Sequence, residues 1–305
     1  MREICRLLAA GMVMAVPNLV QAAEMWSPHL SGYNAGTASG ASLPQGTYFF
    51  NTTDYAQAHL YDNSGNKTSQ TVTGFIEVPE LYIVPDVQIL GGQYSALINV
   101  PWDHVSYHQN QDAPEISHNG LFAYVISPLN LSWSLPENFH VATGIQAYIP
   151  TGEWKKPTLQ SPQGNFSSLD FWSFEPSLGV SWLHDGWNAS VKFWYDANLK
   201  DQGMDYRTGN LFGTEETLSK TFSDGLTLGV VGYTRDQVTS DSGTALGPIV
   251  EGHKQHDYGA GPLIAYNFGS VYLQGWYEHS MGTINGMGAD QVFTRIVVPL
   301  GSLTK

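Results

Sequence analysis

Six charged residues fall inside stretches where apolar and polar side chains alternate: Glu175, Lys192, Asp196, Arg235, Glu278 and Arg295. Trp194 and Trp276 share that placement. In an extended strand, successive side chains point to opposite faces. Asn188, Ser190, Lys192, Trp194 and Asp196 therefore share one face, and Ala189, Val191, Phe193 and Tyr195 the other. Glu175 goes with Ser173, Ser177 and Ser181, opposite Phe174, Leu178, Val180 and Trp182. Tyr272, Gln274, Trp276 and Glu278 share a face, and Arg295 opposes Val292, Ile296 and Val298. If the apolar face meets lipid, the charged face must line a lumen. A basic side chain on the lipid face at mid-bilayer costs about 2–4 kcal/mol, an acid less. Acid and base in a narrow lumen are expected to pair. They then serve as a solute-selecting lining, as a ladder that closes a barrel, or as both. The two tryptophans offer a hydrophobic solute a surface, or fill space.

Histidine suggests a different chemistry. His104-Val105-Ser106, His118-Asn119-Gly120 and His279-Ser280 place imidazole near hydroxyl, as a barrel phospholipase does on its outer wall. No Ser-Arg-Ser or Asn partner follows at a suitable position. His253, His256 and Asp257 lie close in sequence, but in a long loop, where a chance grouping is the expectation and no metal is predicted. There is no GxSxG, no Walker-type glycine loop and no CxxC, so neither a catalytic site nor a cofactor is predicted.

The elements that must position these residues are strands. From Leu43 onward the chain is rich in Val, Ile, Thr, Tyr, Phe and Trp, broken by Gly, Pro, Asn and Asp. Twelve strands are predicted: 46–60, 70–84, 86–100, 119–133, 138–149, 171–183, 188–197, 206–221, 226–237, 256–268, 271–281 and 288–300. Short turns at 85–86, 134–137, 184–187, 222–225 and 269–270 alternate with longer loops at 61–69, 101–118, 150–170, 198–205, 238–255 and 282–287. An even strand count with short turns at one end and long loops at the other is the outer-membrane barrel pattern. Trp102, Trp133, Trp172, Trp182, Trp187 and Tyr206 fall near predicted strand ends, where interfacial aromatics belong.

Composition agrees. Charged residues are 13% of the chain, against roughly 25% in soluble domains. Thirteen basic residues against 27 acidic ones make a nucleic-acid partner improbable. Arg2 and Arg6, the apolar run 7–20 and small residues at Ala22 and Ala23 read as a secretory signal peptide. Residues 24–42 read as a flexible periplasmic or plug-like leader.

Several runs carry a family resemblance. They include Leu43-Pro44-Gln45-Gly46-Thr47-Tyr48-Phe49-Phe50-Asn51, Ile89-Leu90-Gly91-Gly92-Gln93-Tyr94, Pro150-Thr151-Gly152-Glu153-Trp154 and Phe171-Trp172-Ser173-Phe174-Glu175-Pro176. In order and spacing the chain resembles the family named for the meta-pathway of phenol degradation, with its SphA-like outer-membrane transporters. The resemblance implies an outer-membrane barrel that transports aromatic or other hydrophobic compounds. It supplies no catalytic motif.

The sequence thus predicts an all-β protein, a transmembrane antiparallel β-barrel of about twelve strands. It comprises a signal peptide at 1–23, a leader at 24–42 and the barrel at 43–305. Its place is the bacterial outer membrane. Its partners are outer-membrane lipid and lipopolysaccharide, the barrel assembly machinery and a small hydrophobic solute. Lumen-lining residues are Glu175, Lys192, Trp194, Asp196, Arg235, Trp276, Glu278 and Arg295, with Pro150, Thr151 and Gly152 as a loop motif. The alternatives are a barrel-type lipid hydrolase and an exported soluble β-rich binding protein.

Overall fold

β-branched and aromatic residues fit a pleated surface with one face packed, and the chain is strand almost throughout. The computed structural model describes residues 27–110, 112, 114–152, 168–203, 205–243 and 254–301; the expected signal peptide lies outside them. Twelve antiparallel strands close into a barrel. They are β1 (Gly46–Tyr61) and β2 (Lys67–Val84), then β3 (Gly92–Asn99 and Trp102–His108) and β4 (Ile116–Leu121 and Tyr124–Ser134). β5 (Phe139–Ile149), β6 (Ser173–His184), β7 (Trp187–Asn198) and β8 (Leu211–Thr221) follow. β9 (Leu226–Gln237), β10 (His256–Asn267), β11 (Tyr272–Ile284) and β12 (Met287–Gly301) complete the ring. β12 pairs with β1 from Thr47↔Gly301 to Leu60↔Met287, which leaves the sheet no open edge.

Alternation sorts the side chains as expected on most strands. Leu178, Leu218, Val230, Ile264 and Val292 are exposed on the outer surface. Ser173, Glu175, Ser181, Asp196, Gln274 and Glu278 are buried on the inner one. Two acids depart from the rule that mid-strand charges point inward. Glu77 on β2 and Glu216 on β8 face outward, because Glu80 and Glu215 take the inward parity. Asn51 donates to Glu77 at 3.0 Å, and Glu216 lies over Gly232, where a side chain would crowd it.

The third and fourth strands differ from their predicted bounds. The chain turns at Leu90 and Gly91, both in the left-handed region (φ 53° and 76°), so β3 begins at Gly92. It then continues past Pro101. Glu80–Ile83 of β2 pair with its first segment, and Thr71–Glu77 with its second. Much of the expected loop 101–118 is therefore wall. Trp102 lies mid-strand rather than at a strand end, and Tyr206 is buried, so neither belongs to an aromatic belt. The strand expected from 206 starts at Leu211. Tyr206–Arg207 pairs instead with Ser242–Gly243, tying two loops together at the long-loop rim. The connection expected at 282–287 is a two-residue turn at Asn285 (φ 51°) and Gly286, so loop length sorts the rims less cleanly than predicted.

An outward position at mid-height should reject charge. Leu178→Arg on β6 is expected to destabilise the folded barrel by about 2–4 kcal/mol, measured by reversible urea unfolding in lipid vesicles.

Candidate functional site: the lumen and its inner segment

The lumen is filled in part by the chain's own leader. Residues 27–42, expected to form a flexible periplasmic or a plug-like leader, lie inside the barrel and are bonded to the wall along their length. Short turns fold the segment on itself: Tyr33 N donates to Leu30 O and Ala35 N to Gly32 O, both at 3.0 Å. Gly32 (φ 85°) and Gly36 (φ 75°) are required twice over, for the left-handed backbone and for closeness to the wall. A Cβ on Gly32 would stand 1.8 Å from Glu278 Oε2, and one on Gly36 would stand 1.9 Å from Gln274 Nε2.

Two cationic side chains do most of the holding. His29, on the segment, bridges two wall carboxylates: Nδ1 lies 2.8 Å from Glu175 Oε2 and Nε2 lies 3.2 Å from Glu215 Oε1. Its ring stacks on Trp194 at 4.2 Å and 14°. Arg295, on β12, donates to Tyr33 O and to Ala35 O, the latter at 3.3 Å. It also reaches Thr52 Oγ1 at 3.0 Å and Gln274 Oε1 at 3.2 Å, and lies over the Trp276 ring at 4.8 Å. Smaller groups complete the fastening. Gly36 N donates to Thr217 Oγ1 and Gly40 N to Ser181 Oγ, each at 2.8 Å, and Tyr33 Oη donates to Glu80 Oε2 at 3.0 Å.

The structure places the eight residues predicted for the lumen on the inner face, but gives them different company. Lys192 pairs with Glu175 at 3.4 Å, and Arg235 approaches Asp257 at 3.8 Å. Asp196 accepts from Ser27 of the inner segment. Glu278 is fully buried, and neither carboxylate oxygen has a hydrogen-bond partner among the described residues. Arg295 binds backbone carbonyls rather than an acid. Trp194 and Trp276 are covered, the first by His29 and the second by Arg295 on one side with Phe293 stacked at 4.7 Å. Pro150, Thr151 and Gly152 lie apart from the lumen charges, beyond the end of β5. There Thr151 Oγ1 accepts from Tyr124 N at 2.9 Å. His104 and His279 point outward, and His279 bonds Asp290 at 2.7 Å. His256 and Asp257 fall on opposite faces of β10; His253 is outside the described residues.

Sequence reasoning passed over Asp54, Glu80, Asp103 and Glu215, and weighed Asp257 only as part of a loop grouping; all five are buried on the inner face. It also passed over an apolar half of the interior. Val72, Ile76 and Val78 of β2, Leu97 and Val105 of β3 and Val125 of β4 line a cavity of about 480 Å³ beside the inner segment. Polar side chains share that lining, among them Glu80, Asn99 and Asp103.

A closed, lipid-faced barrel of twelve strands with a partly filled lumen is of the outer-membrane type. The chain belongs to the family described as "Putative MetA-pathway of phenol degradation", whose pattern matches residues 53–296. Its fold is similar to that of the COG4313 outer membrane channel from Pseudomonas putida F1, with a TM-score of 0.72 at 14% identity, covering 86% of this chain and 98% of that one. The translocator domain of the autotransporter NalP from Neisseria meningitidis superimposes more loosely, with a TM-score of 0.46 at 11% identity, over 86% of this chain and 91% of that one. No curated protein matches the chain in sequence.

The His29 bridge carries a pH dependence. Burial alone lowers the imidazole pKa, but the carboxylates of Glu175 and Glu215 outweigh it and raise it from 6.5 to about 10. The docked segment thus binds the proton more tightly than a released one. Its stabilisation is complete below about pH 6.5 and is lost as pH rises through about 10. Over that window the docked state weakens by up to about tenfold per pH unit. Proteolytic cleavage within 27–42 should accelerate from pH 7 to pH 10, and His29→Asn should flatten the profile.

Proposed function

We propose that the protein is an outer-membrane channel that passes small apolar or aromatic solutes through the part of its lumen beside the inner segment. One observation carries this reading: the inward apolar strip formed by Val72, Ile76, Val78, Leu97, Val105 and Val125. In a barrel crossing lipid, the outer face must be apolar and the inner face is free to be polar. An inner face that is apolar as well gains nothing from the bilayer. Ile76 and Leu97, which are only partly buried, gain from an apolar solute at roughly 25 cal/mol for each Å² removed from water, and the four valines are already buried. The cavity of about 480 Å³ falls within the size range that encloses a small organic molecule, roughly 300–1,000 Å³.

The remaining parts fit this reading. The apolar outer girdle suits the lipid leaflet, with lipopolysaccharide against the long-loop rim. An export signal at 1–23 delivers the chain to the periplasm, where the assembly machinery closes β12 on β1. Lumen charges on several strands hold the inner segment in place, and the apolar residues of β2, β3 and β4 line the cavity beside it, with Glu80, Asn99 and Asp103 among them. That division of labour gives the lumen charges a structural role and the valine strip the solute.

The experiment is accumulation of naphthalene by cells whose lipopolysaccharide leaflet is intact. Expression of the protein is expected to speed accumulation over cells lacking it. Val78→Asp combined with Val105→Asp should slow the protein-dependent part by about tenfold, the equivalent of about 1.4 kcal/mol of lost solute affinity. Equal accumulation with and without the protein would dispose of the reading.

A further inference from the structure

The cavity contains a hydrogen-bond acceptor that none of the described residues satisfies. Asp54 stands midway along β1 on the inner face, 1% exposed, and lines the cavity. Its Oδ2 accepts from Gln291 Nε2 at 3.2 Å. Its Oδ1 is buried and has no partner among the described residues. The basic groups that border the same cavity bond other groups, although Arg235 Nε has no partner among the described residues. Lys192 lies 3.4 Å from Glu175, and Arg235 donates to Met287 O at 3.3 Å and lies 3.8 Å from Asp257. Arg295 holds Thr52, Gln274 and the inner segment, and His29 bridges Glu175 and Glu215. Small residues keep the approach open: Ala56 follows two positions along β1 on the same face, and Gly74 is its partner on β2.

A carboxylate oxygen buried without a donor is destabilising, and a bound donor relieves that penalty. A site built around such a group favours a solute that supplies a donor over an analogue of the same shape that does not. We propose that Asp54 is the specificity residue of the cavity, and that it selects apolar solutes bearing one hydrogen-bond donor, a hydroxyl or an ammonium group. The apolar body lies against Val72, Val78 and Val105, and the donor meets Asp54 Oδ1. This rests on the solute-channel reading above and adds a chemical class to it.

The test uses the full-length protein in the same cells and four bicyclic probes: naphthalene, 1-methoxynaphthalene, 1-naphthol and 1-(aminomethyl)naphthalene. Each rate is taken after subtraction of cells lacking the protein. The naphthol and the amine are expected to enter about tenfold faster than the methoxy compound, the worth of roughly one hydrogen bond. In Asp54→Val that ratio should collapse to about one for both. In the isosteric Asp54→Asn, the naphthol should keep its advantage, because an amide oxygen still accepts, and the amine should lose it with the charge. Heat-dependent gel mobility confirms that each variant is folded. If Asp54→Val does not fold, the wild-type ratios and Asp54→Asn decide. No protein-dependent naphthalene rate would sink the channel reading. A clear naphthalene rate with no donor advantage, or an advantage unchanged in Asp54→Val and Asp54→Asn, would overturn the assignment of Asp54 and leave the channel reading standing.

Discussion

A strand that crosses a bilayer has two faces and cannot exchange them. In lipid, backbone donors and acceptors find no water, so each must pair within the sheet, and the sheet must close. Closure fixes the register of every strand against its neighbours, and register fixes which side chain points where. The pairing of β12 with β1, from Thr47↔Gly301 to Leu60↔Met287, is therefore more than a seam. It aligns Arg295 with Thr52 and Asp54 with Phe293, and so sets both the hold on the inner segment and the polar point of the cavity.

The same constraint forces charge into the interior, where it must be neutralised or hydrogen-bonded. Inward acids outnumber inward bases, and wall-to-wall pairing cannot balance them. The inner segment supplies what is missing. His29 adds a cation between Glu175 and Glu215, and Asn34 N donates to Glu215 as well. In return, Arg295 finds carbonyl acceptors on the segment that the wall does not provide. Segment and wall are each incompletely satisfied alone, which explains why the leader lies inside rather than hanging free.

Part of this was legible in the sequence because it is periodic. On β6 and β7 the alternation is unbroken, and on β11 it holds from Tyr272 to Ser280, and Glu175, Lys192, Asp196 and Glu278 took their faces from it. The rest lacked a local signal. Glu215 and Glu216 are adjacent, so one must point in and one out, and only the register with β7 and β9 decides which. Along β2, Phe75 and Leu81 face out while Val72, Ile76 and Val78 face in, so both faces are apolar and the strip does not show. His104, Ser106 and His118 read as loop by polarity, yet they pair in β3 and β4 as strand. His29 sits in a stretch with no period, and its partners are 146 and 186 residues away. A lone histidine cannot announce contacts at that distance.

The inner segment also changes what kind of passage the lumen offers. Pro28, Leu30 and Tyr33 of the segment line the same cavity as Val78 and Val105 of the wall. The segment is thus one side of the solute's surroundings as well as an obstacle across the barrel. Removing it wholly would widen the lumen but would expose the apolar strip to water on its open side, and an apolar solute would lose half of its contacts. Tyr33 joins the two roles, with its hydroxyl on Glu80 of β2 and its carbonyl on Arg295 of β12. The segment is thus fastened on both sides of the cavity, by Glu80 of β2 as well as by Glu175, Glu215 and Arg295.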